Sequence, residues 1–254
     1  MRADAKRIVV RAPNWVGDVV MATPTFRALR ENYPDSHLAL ICKPYVRPIL
    51  NGAPWFDEVI ETQGKSFASF RELTARLRKD RFDLAVLLPN SMRAALEAFC
   101  GRVRRRVGYN RRGRGILLTD RIAPPLDDRG RFLPTNMVDY YLTLCMHMGC
   151  QNLSQREELH ITDACQARAD AVLEKYGVDP DIQLIGINPG GAFGSSKLWP
   201  ANRHSIVADD LADRTTSASC SSARPANGPS WRPSRRAWST TRSSWSRASW
   251  TSIR

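Results

Sequence analysis

Hydrophobic residues alternate along most of the chain between two patterns. Short runs rich in Val, Ile and Leu predict strands. They occupy residues 7–12, 37–43, 57–61, 83–89 and 182–190. Between them, apolar residues recur every three or four positions and predict amphipathic helices. These helices cover 18–31, the segments that begin at Ser66 and Ser91, about 136–148, and 163–177. Strands that alternate with helices predict an α/β fold built on a doubly wound, mostly parallel sheet.

The same patterns divide the chain into three parts. Residues 1–160 predict a complete Rossmann-like domain, and residues 161–213 contain only the start of a second one. Residues 214–254 hold twelve Ser, eight Arg and four Trp, without an acidic residue. Such a segment buries too little apolar surface to offset its chain entropy, so we expect it to be disordered. Translation in a shifted reading frame would explain this composition, and a genuine basic tail is the alternative.

Charge and composition narrow the classes of function. The net charge is +13, but eight of these charges lie in residues 214–254, which leaves a mildly basic body and weakens a nucleic-acid interpretation. No run of 18 apolar residues and no secretory signal are present, so we expect a cytoplasmic protein. The six cysteines include no C-x-x-C pair, and the four histidines show no ligand spacing. These counts favour reduced, mostly buried thiols over a metal site or disulfides.

One carboxylate stands out in the segment "RAPNWVGDVVMATPTFRALR". Asp18 follows the first predicted strand after a short loop that contains Gly17, and it lies in the first turn of the next helix. In open α/β sheets, ligands bind at the carboxyl ends of the strands, where such loops lie. Asp18 therefore has two interpretations, a functional carboxylate or a residue that stabilises the helix N-terminus by about 0.5–2 kcal/mol.

A second loop, "NPGGAFGSSKLWP" at residues 188–200, follows the strand predicted at 182–190. Its parts suit a diphosphate, because small residues let the backbone amides approach the oxygens and an ammonium group neutralises charge. These parts are Gly190, Gly191, Gly194, Ser195, Ser196 and Lys197. The loop is not a Walker A motif, since Ser196 precedes Lys197 and Leu198 follows it. An ordinary glycine-rich turn remains an alternative.

A third segment, "GRVRRRVGYNRRGRG" at residues 101–115, contains seven arginines. It is typical of a solvated loop, and contact with a nucleic-acid backbone is another interpretation. Arginine forks also bind phosphates and carboxylates.

The first two loops, together with "FDLAVLLPNSMRAAL", "RRVGYNRRGRGILLT" and "MVDYYLTLCMHMG", resemble the bacterial ADP-heptose:lipopolysaccharide heptosyltransferases, glycosyltransferase family 9. Within the family, the resemblance is strongest to the heptosyltransferase II group and covers roughly residues 6–212. It implies a GT-B fold, in which two Rossmann-like domains face a cleft. The first domain would bind the acceptor and the second the nucleotide sugar.

The resemblance also implies a reaction. The family transfers L-glycero-D-manno-heptose from ADP-heptose to the inner-core heptose of lipopolysaccharide, with inversion and without a metal or cofactor. Asp18 matches the family's general base, which we expect to be ionised at a helix N-terminus. Lys197, with Gly190, Gly191, Ser195 and Ser196, matches the loop that meets the donor phosphates.

The remaining implications concern the acceptor. Anions of the lipopolysaccharide core would be bound by basic residues of the third segment, and we expect these to be Arg105, Arg106, Arg111 and Arg114. A lipid-anchored acceptor also implies peripheral contact with the cytoplasmic face of the inner membrane. In this interpretation nucleic acid is not a partner.

The segment from 214 departs from the family pattern. The family's second domain continues well beyond this point, and residues 214–254 offer no counterpart to its adenine and ribose pocket. We therefore expect impaired transferase activity. Two alternatives stay open, namely a related glycosyltransferase with another donor or acceptor, and a non-catalytic basic fragment that binds nucleic acid or a partner.

Overall fold

A computed structural model describes residues 5–63, 66–178, 184–188, 198–214 and 218–221 of the chain. The chain forms two compact units, Met1–Cys165 and Gln166–Arg254. The sequence predicts the boundary at residue 160.

The first unit contains six strands and five α-helices. The strands are β1 (Arg7–Arg11), β2 (His37–Cys42), β3 (Glu58–Glu61), β4 (Leu84–Leu87), β5 (Arg105–Tyr109) and β6 (Asp120–Ile122). The helices are α1 (Val16–Met21), α2 (Thr23–Asn32), α3 (Phe67–Asp80), α4 (Met92–Cys100) and α5 (Met137–His147). Two single-turn 3₁₀ helices occupy Arg47–Leu50 and Arg114–Leu117.

The six strands form one parallel sheet in the order β3-β2-β1-β4-β5-β6. Val10 in β1 lies opposite Leu40 in β2 on one side and Val86 in β4 on the other. The chain moves outward from β1 to β3, returns to place β4 beside β1, and then moves outward in the other direction. This topology confirms the predicted doubly wound α/β fold. The reversal between β1 and β4 creates a crevice at their carboxyl ends, the usual ligand site of such sheets.

Helices cover both faces of the sheet, because successive residues of each strand point to opposite sides. Val10 packs on the face covered by α2 and α5, where Phe26 and Leu144 are fully buried. Its neighbour Val9 packs on the face covered by α3 and α4, against a cluster that includes Leu77 and Ala95. Burial on both faces explains why the strands appear in the sequence as unbroken apolar runs.

Two local predictions were wrong. The helix predicted over 18–31 is two helices, α1 and α2, with Ala22 between them. Pro24 causes the break, since it has no N–H to continue the hydrogen bonds of α1 but fits the first turn of α2. The solvated loop expected within 101–115 contains strand β5 instead. Its arginines are tolerated in a sheet because Arg105 pairs with Asp120 on β6 at 2.7 Å.

The second unit has a small parallel sheet. Helix α6 (Asp163–Lys175) crosses the boundary and precedes β7 (Leu184–Ile187), which is the described part of the strand predicted at 182–190. Helix α7 (Ala201–Arg214) follows, and β8 (Ala218–Ser221) pairs with β7. Strand β8 belongs to the segment for which disorder was expected. Across the described ranges, no helix is both long and apolar enough to cross a bilayer.

Candidate functional site

Asp18 lies where the chain leaves β1 and enters α1. The helix begins with a hydrogen bond from the Val19 amide to the Trp15 carbonyl, at 3.0 Å, and Trp15 supplies no side-chain cap. Val19 is fully buried and anchors the turn, while Asp18 is half-buried. Within the described ranges, the Asp18 carboxylate makes no hydrogen bond or ion pair. Asp18 therefore does not cap the helix through a hydrogen bond, although it lies in the first turn of α1.

The environment of Asp18 changes its acidity. Burial raises the pKa of the Asp18 carboxyl above its ordinary value of 3.8. The helix N-terminus favours the ionised form, but burial, which local sequence does not reveal, outweighs it. The negative charge of Asp18 also raises the pKa of the buried Tyr141 phenol on α5, although burial contributes more. Tyr141 therefore stays protonated beside a carboxylate that is more basic than a free one.

The loop after β4 begins at the carboxyl end of the strand next to β1. Ser91 caps α4 by accepting a hydrogen bond from the Ala94 amide at 3.2 Å, and this fixes the preceding residue, Asn90. The Asn90 side-chain amide donates to the Tyr140 hydroxyl at 3.0 Å. The Tyr109 hydroxyl donates to the Tyr140 carbonyl at 2.8 Å, and the two rings stack with centroids 3.8 Å apart. These contacts fasten α5 to the ends of β4 and β5.

Sequence reasoning missed this group of polar and aromatic residues. Signals for it are present, because Asn90 directly follows a predicted strand and Tyr140 and Tyr141 are adjacent on a predicted helix. The sequence does not reveal that α5 packs against α1 and that Tyr140 meets Asn90 and Tyr109.

The structure gives Arg114 a packing role. Its side chain is fully buried, and Nε donates to the Tyr109 carbonyl at 2.9 Å. Other bonds go to the Pro89 carbonyl and, at 3.3 Å, to Asn90 Oδ1. Burial lowers the pKa of Arg114 to about 10. Arg114 thus ties the ends of β4 and β5 together beneath the crevice.

Arg105 and Arg106 begin β5, so they lie at the amino ends of the parallel strands, whereas Asp18 lies beyond the carboxyl end of β1. Arg105 is paired with Asp120. Arg106 donates to the Leu117 carbonyl at 2.6 Å and to the Val103 carbonyl at 2.5 Å. The structure does not bring these two arginines together with Asp18.

Arg111 is the remaining predicted arginine. It follows β5 and therefore lies, like Asp18, at the carboxyl ends of the parallel strands. Its guanidinium lies 4.0 Å from the centre of the Phe132 ring. Phe132 packs edge-on against Tyr140, with centroids 6.0 Å apart. A continuous series of contacts therefore leads from Arg111 through Tyr140 to Tyr141, the neighbour of Asp18.

The residues predicted to bind the donor phosphates lie outside the described residues. They are Gly190, Gly191, Ser195, Ser196 and Lys197. Within the described ranges, no group of three or more His, Cys, Asp or Glu side chains is arranged to hold a metal ion.

Comparison with known proteins decides the family. The sequence model of glycosyltransferase family 9 (heptosyltransferase) matches residues 70–225, more than half of the chain. The chain belongs to glycosyltransferase family 9. Among curated relatives of this family 9 chain, lipopolysaccharide heptosyltransferase 2 of Escherichia coli K12 is 28% identical over 215 residues, which are 82% of this chain and 60% of the relative. Lipooligosaccharide heptosyltransferase 2 of Haemophilus ducreyi is 26% identical, over 82% of this chain and 61% of the relative.

Solved structures support the same fold. A family 9 glycosyltransferase from Veillonella parvula superposes with a TM-score of 0.75 at 23% identity, over 87% of this chain and 63% of that structure. The E. coli ADP-heptose lipopolysaccharide heptosyltransferase II superposes with a TM-score of 0.68 at 26% identity, over 85% and 63%. The family 9 chain therefore has the α/β architecture of the GT-B heptosyltransferases. It spans about three fifths of the length of the relatives it matches.

Proposed function

We propose that this family 9 chain transfers heptose from ADP-L-glycero-D-manno-heptose to the inner-core heptose of lipopolysaccharide, with inversion of the anomeric centre. The names of its relatives support the heptosyl group and the lipopolysaccharide acceptor. The observation that carries the proposal is Asp18, a half-buried carboxylate with a raised pKa at the reversal point of the sheet. A base is needed there because the acceptor hydroxyl must lose a proton as it attacks.

In the proposed reaction, the Asp18 carboxylate accepts the proton of the acceptor hydroxyl. The hydroxyl oxygen forms a bond to the anomeric carbon of the heptose, and the bond from that carbon to the ADP oxygen breaks on the opposite face. The raised pKa of Asp18 makes it a stronger base than an exposed carboxylate. Tyr141 stays neutral, so it adds no negative charge that would repel the ionised base.

On the donor side, we assign the phosphates of ADP-heptose to Lys197 and to the loop residues Gly190, Gly191, Ser195 and Ser196. The leaving ADP gains negative charge as its bond to the sugar breaks. An ammonium group and backbone amides stabilise such charge without covalent chemistry. The sequence of the loop supports this role, because it combines small residues with one lysine.

On the acceptor side, we assign anionic groups of the lipopolysaccharide core to Arg111. It lies on the same side of the sheet as Asp18, and its stacking on Phe132 limits its freedom. Asn90, fixed by Tyr140 on the β4 loop, is a second candidate for contact with acceptor hydroxyls. Arg105, Arg106 and Arg114 keep the structural roles described above. Because the acceptor carries a lipid anchor, we also propose peripheral contact with the inner membrane.

The test is transfer by the purified full chain. Release of the nucleoside diphosphate is measured in separate reactions with ADP-heptose, UDP-sugars and GDP-sugars, each with a lipopolysaccharide acceptor that carries one inner-core heptose. We expect acceptor-dependent release of ADP from ADP-heptose and no release of UDP or GDP from the other donors, and Asp18→Asn should slow ADP release by about 10²–10⁴-fold. Asp35→Asn removes an exposed carboxylate and is the matched control. Because residues 214–254 offer no counterpart to the family's adenine and ribose pocket, ADP release should be slow but above the acceptor-free background. A chain that releases no ADP above that background, or an Asp18→Asn variant as fast as the control, would refute the proposal.

A further inference from the structure

A shallow groove lies at the amino ends of β4 and β5, the end of the sheet opposite to Asp18. Its volume is about 490 Å³, and its lining includes Arg78, Phe99, Cys100, Arg102, Arg104 and Arg106. These residues come from the ends of α3 and α4, from the turn that leads into β5 and from the first residues of β5 itself. The five residues of β5 separate the groove from the carboxyl ends of the strands, where Asp18 lies, by about 13 Å along the strand.

The groove carries positive charge that the described residues do not neutralise. Four of its seven lining residues are arginines and none is acidic. Arg78 donates to the Cys100 carbonyl at 2.7 Å, and this accounts for its position at the end of α3. Arg102 and Arg104 are exposed, and neither guanidinium has a hydrogen bond or ion pair with another described residue.

The groove also has fixed parts. The Arg106 guanidinium lies 5.4 Å from the centre of the Phe99 ring, and carbonyl oxygens hold its Nε and Nη1 atoms. Burial lowers the pKa of Arg106, so part of its hydration is already lost. Phe99 remains 48% exposed and forms an apolar side of the groove. Arg102 adopts φ 58°, a conformation unusual for a residue with a side chain.

We propose that this groove binds phosphate groups. Arginine forks match the oxygens of phosphate in both charge and spacing, and two of the forks are free of partners among the described residues. The partly dehydrated Arg106 loses less hydration when an anion arrives. Phosphate groups reach such a groove either on a soluble molecule or on the headgroups of an anionic membrane. The site is independent of the proposed transfer reaction.

Cys100 provides a local reporter, since it lines the groove and is half-buried. The rate of Cys100 alkylation by iodoacetamide is measured on the full chain by peptide mass spectrometry. One arm adds inorganic diphosphate, a second adds phosphatidylglycerol vesicles, and a third adds sodium chloride at matched ionic strength. With diphosphate at about ten times its Kd, occupancy should slow alkylation about tenfold. Cys165, half-buried and outside the groove, is the internal reference.

The double variant Arg102→Asn/Arg104→Gln should lose this protection while its circular dichroism spectrum stays unchanged. The matched control is Arg112→Asn/Arg129→Gln, which removes two exposed arginines elsewhere. Arg112 also has a positive φ, of 52°, so the two variants test asparagine in the same conformation. Protection by diphosphate identifies a soluble ligand, and protection by vesicles alone identifies headgroups. If neither protects Cys100 beyond the salt arm, or if the Arg102→Asn/Arg104→Gln variant is protected equally, the groove does not bind phosphate.

Discussion

Glu97 on α4 allows a test of how much its buried ion pair with Arg11, at the end of β1, contributes to stability. Its side chain is only 2% exposed, and its two oxygens accept hydrogen bonds from different arginines. Oε2 lies 3.2 Å from Nε of Arg11, which is itself 8% exposed, and Oε1 lies 2.8 Å from Nε of Arg93. Arg11 ends β1 and also donates to the Ile41 carbonyl at 3.3 Å. The change Glu97→Gln keeps the shape of the side chain and removes its charge.

The expected cost follows from the burial of Arg11. Burial lowers the pKa of Arg11, and the charge of Glu97 opposes that effect. Removing one partner of a buried ion pair costs about 3–5 kcal/mol, because the other charge stays buried without compensation. Glutamine still offers one oxygen acceptor, so we expect a loss of about 3 kcal/mol in the free energy of unfolding. For a unit of this size, such a loss lowers Tm by about 6–12 °C.

The assay is unfolding of the full chain in urea and by heat, followed by far-ultraviolet circular dichroism. The matched control is Glu31→Gln, which removes the charge of the exposed Glu31, 3.9 Å from Arg27, while Arg27 keeps its closer partner Glu158 at 2.9 Å. That control should change the free energy of unfolding by no more than about 0.5 kcal/mol. If Glu97→Gln falls within about 0.5 kcal/mol of the control, the buried charge of Arg11 does not depend on Glu97, and the reasoning is wrong.

Three further predictions concern the candidate site and its supports. Asp18→Asn should raise the free energy of unfolding at neutral pH, because the folded protein disfavours the ionised carboxyl. Urea titrations should show this gain at pH values above the folded pKa of Asp18 and its loss as the pH falls to 3.8. A gain in the free energy of unfolding that persists below pH 3.8 would contradict the prediction. Transferase activity should depend on the same ionisation, so the acid limb of kcat/KM should lie above pH 3.8 and disappear in Asp18→Asn. Gly108→Ala should cost about 1–3 kcal/mol in thermal unfolding, because the added Cβ would lie 2.9 Å from Nη2 of the buried Arg114; an unchanged Tm would show that Arg114 can move aside.

Much of the first unit can be predicted from local pattern. Strands β1, β2 and β4 are buried on both faces, so their sequences are largely continuous apolar runs. Strand β3 is a half-buried edge strand with the sequence EVIE. The structure confirms the predicted positions of all four strands within one or two residues. The position of Asp18 in the first turn after β1 could also be predicted, because an apolar run ends just before it and a helical pattern begins at it. Strand β5 could not, because its two leading arginines resemble a loop until the pairing with Asp120 is known.

In the candidate site, too, some residues could be predicted from the sequence and others could not. The sequence indicated a carboxylate after β1 and basic residues after β5. It did not distinguish Arg111, on the Asp18 side of the sheet, from Arg114, which is buried beneath the crevice. Nor did it indicate Tyr141, which α5 brings beside Asp18 from more than a hundred residues away.

By itself, the sequence determined the α/β class, the positions of the first four strands along the chain and the place of Asp18 in a strand-to-helix loop. Those features depend on hydrophobic period and turn chemistry, which act between neighbouring residues. Only the tertiary structure decided the raised pKa of Asp18, the role of each arginine and the unneutralised charge of the groove at the opposite edge. Burial and charge pairing depend on residues that are distant in the chain and meet only when the sheet is formed.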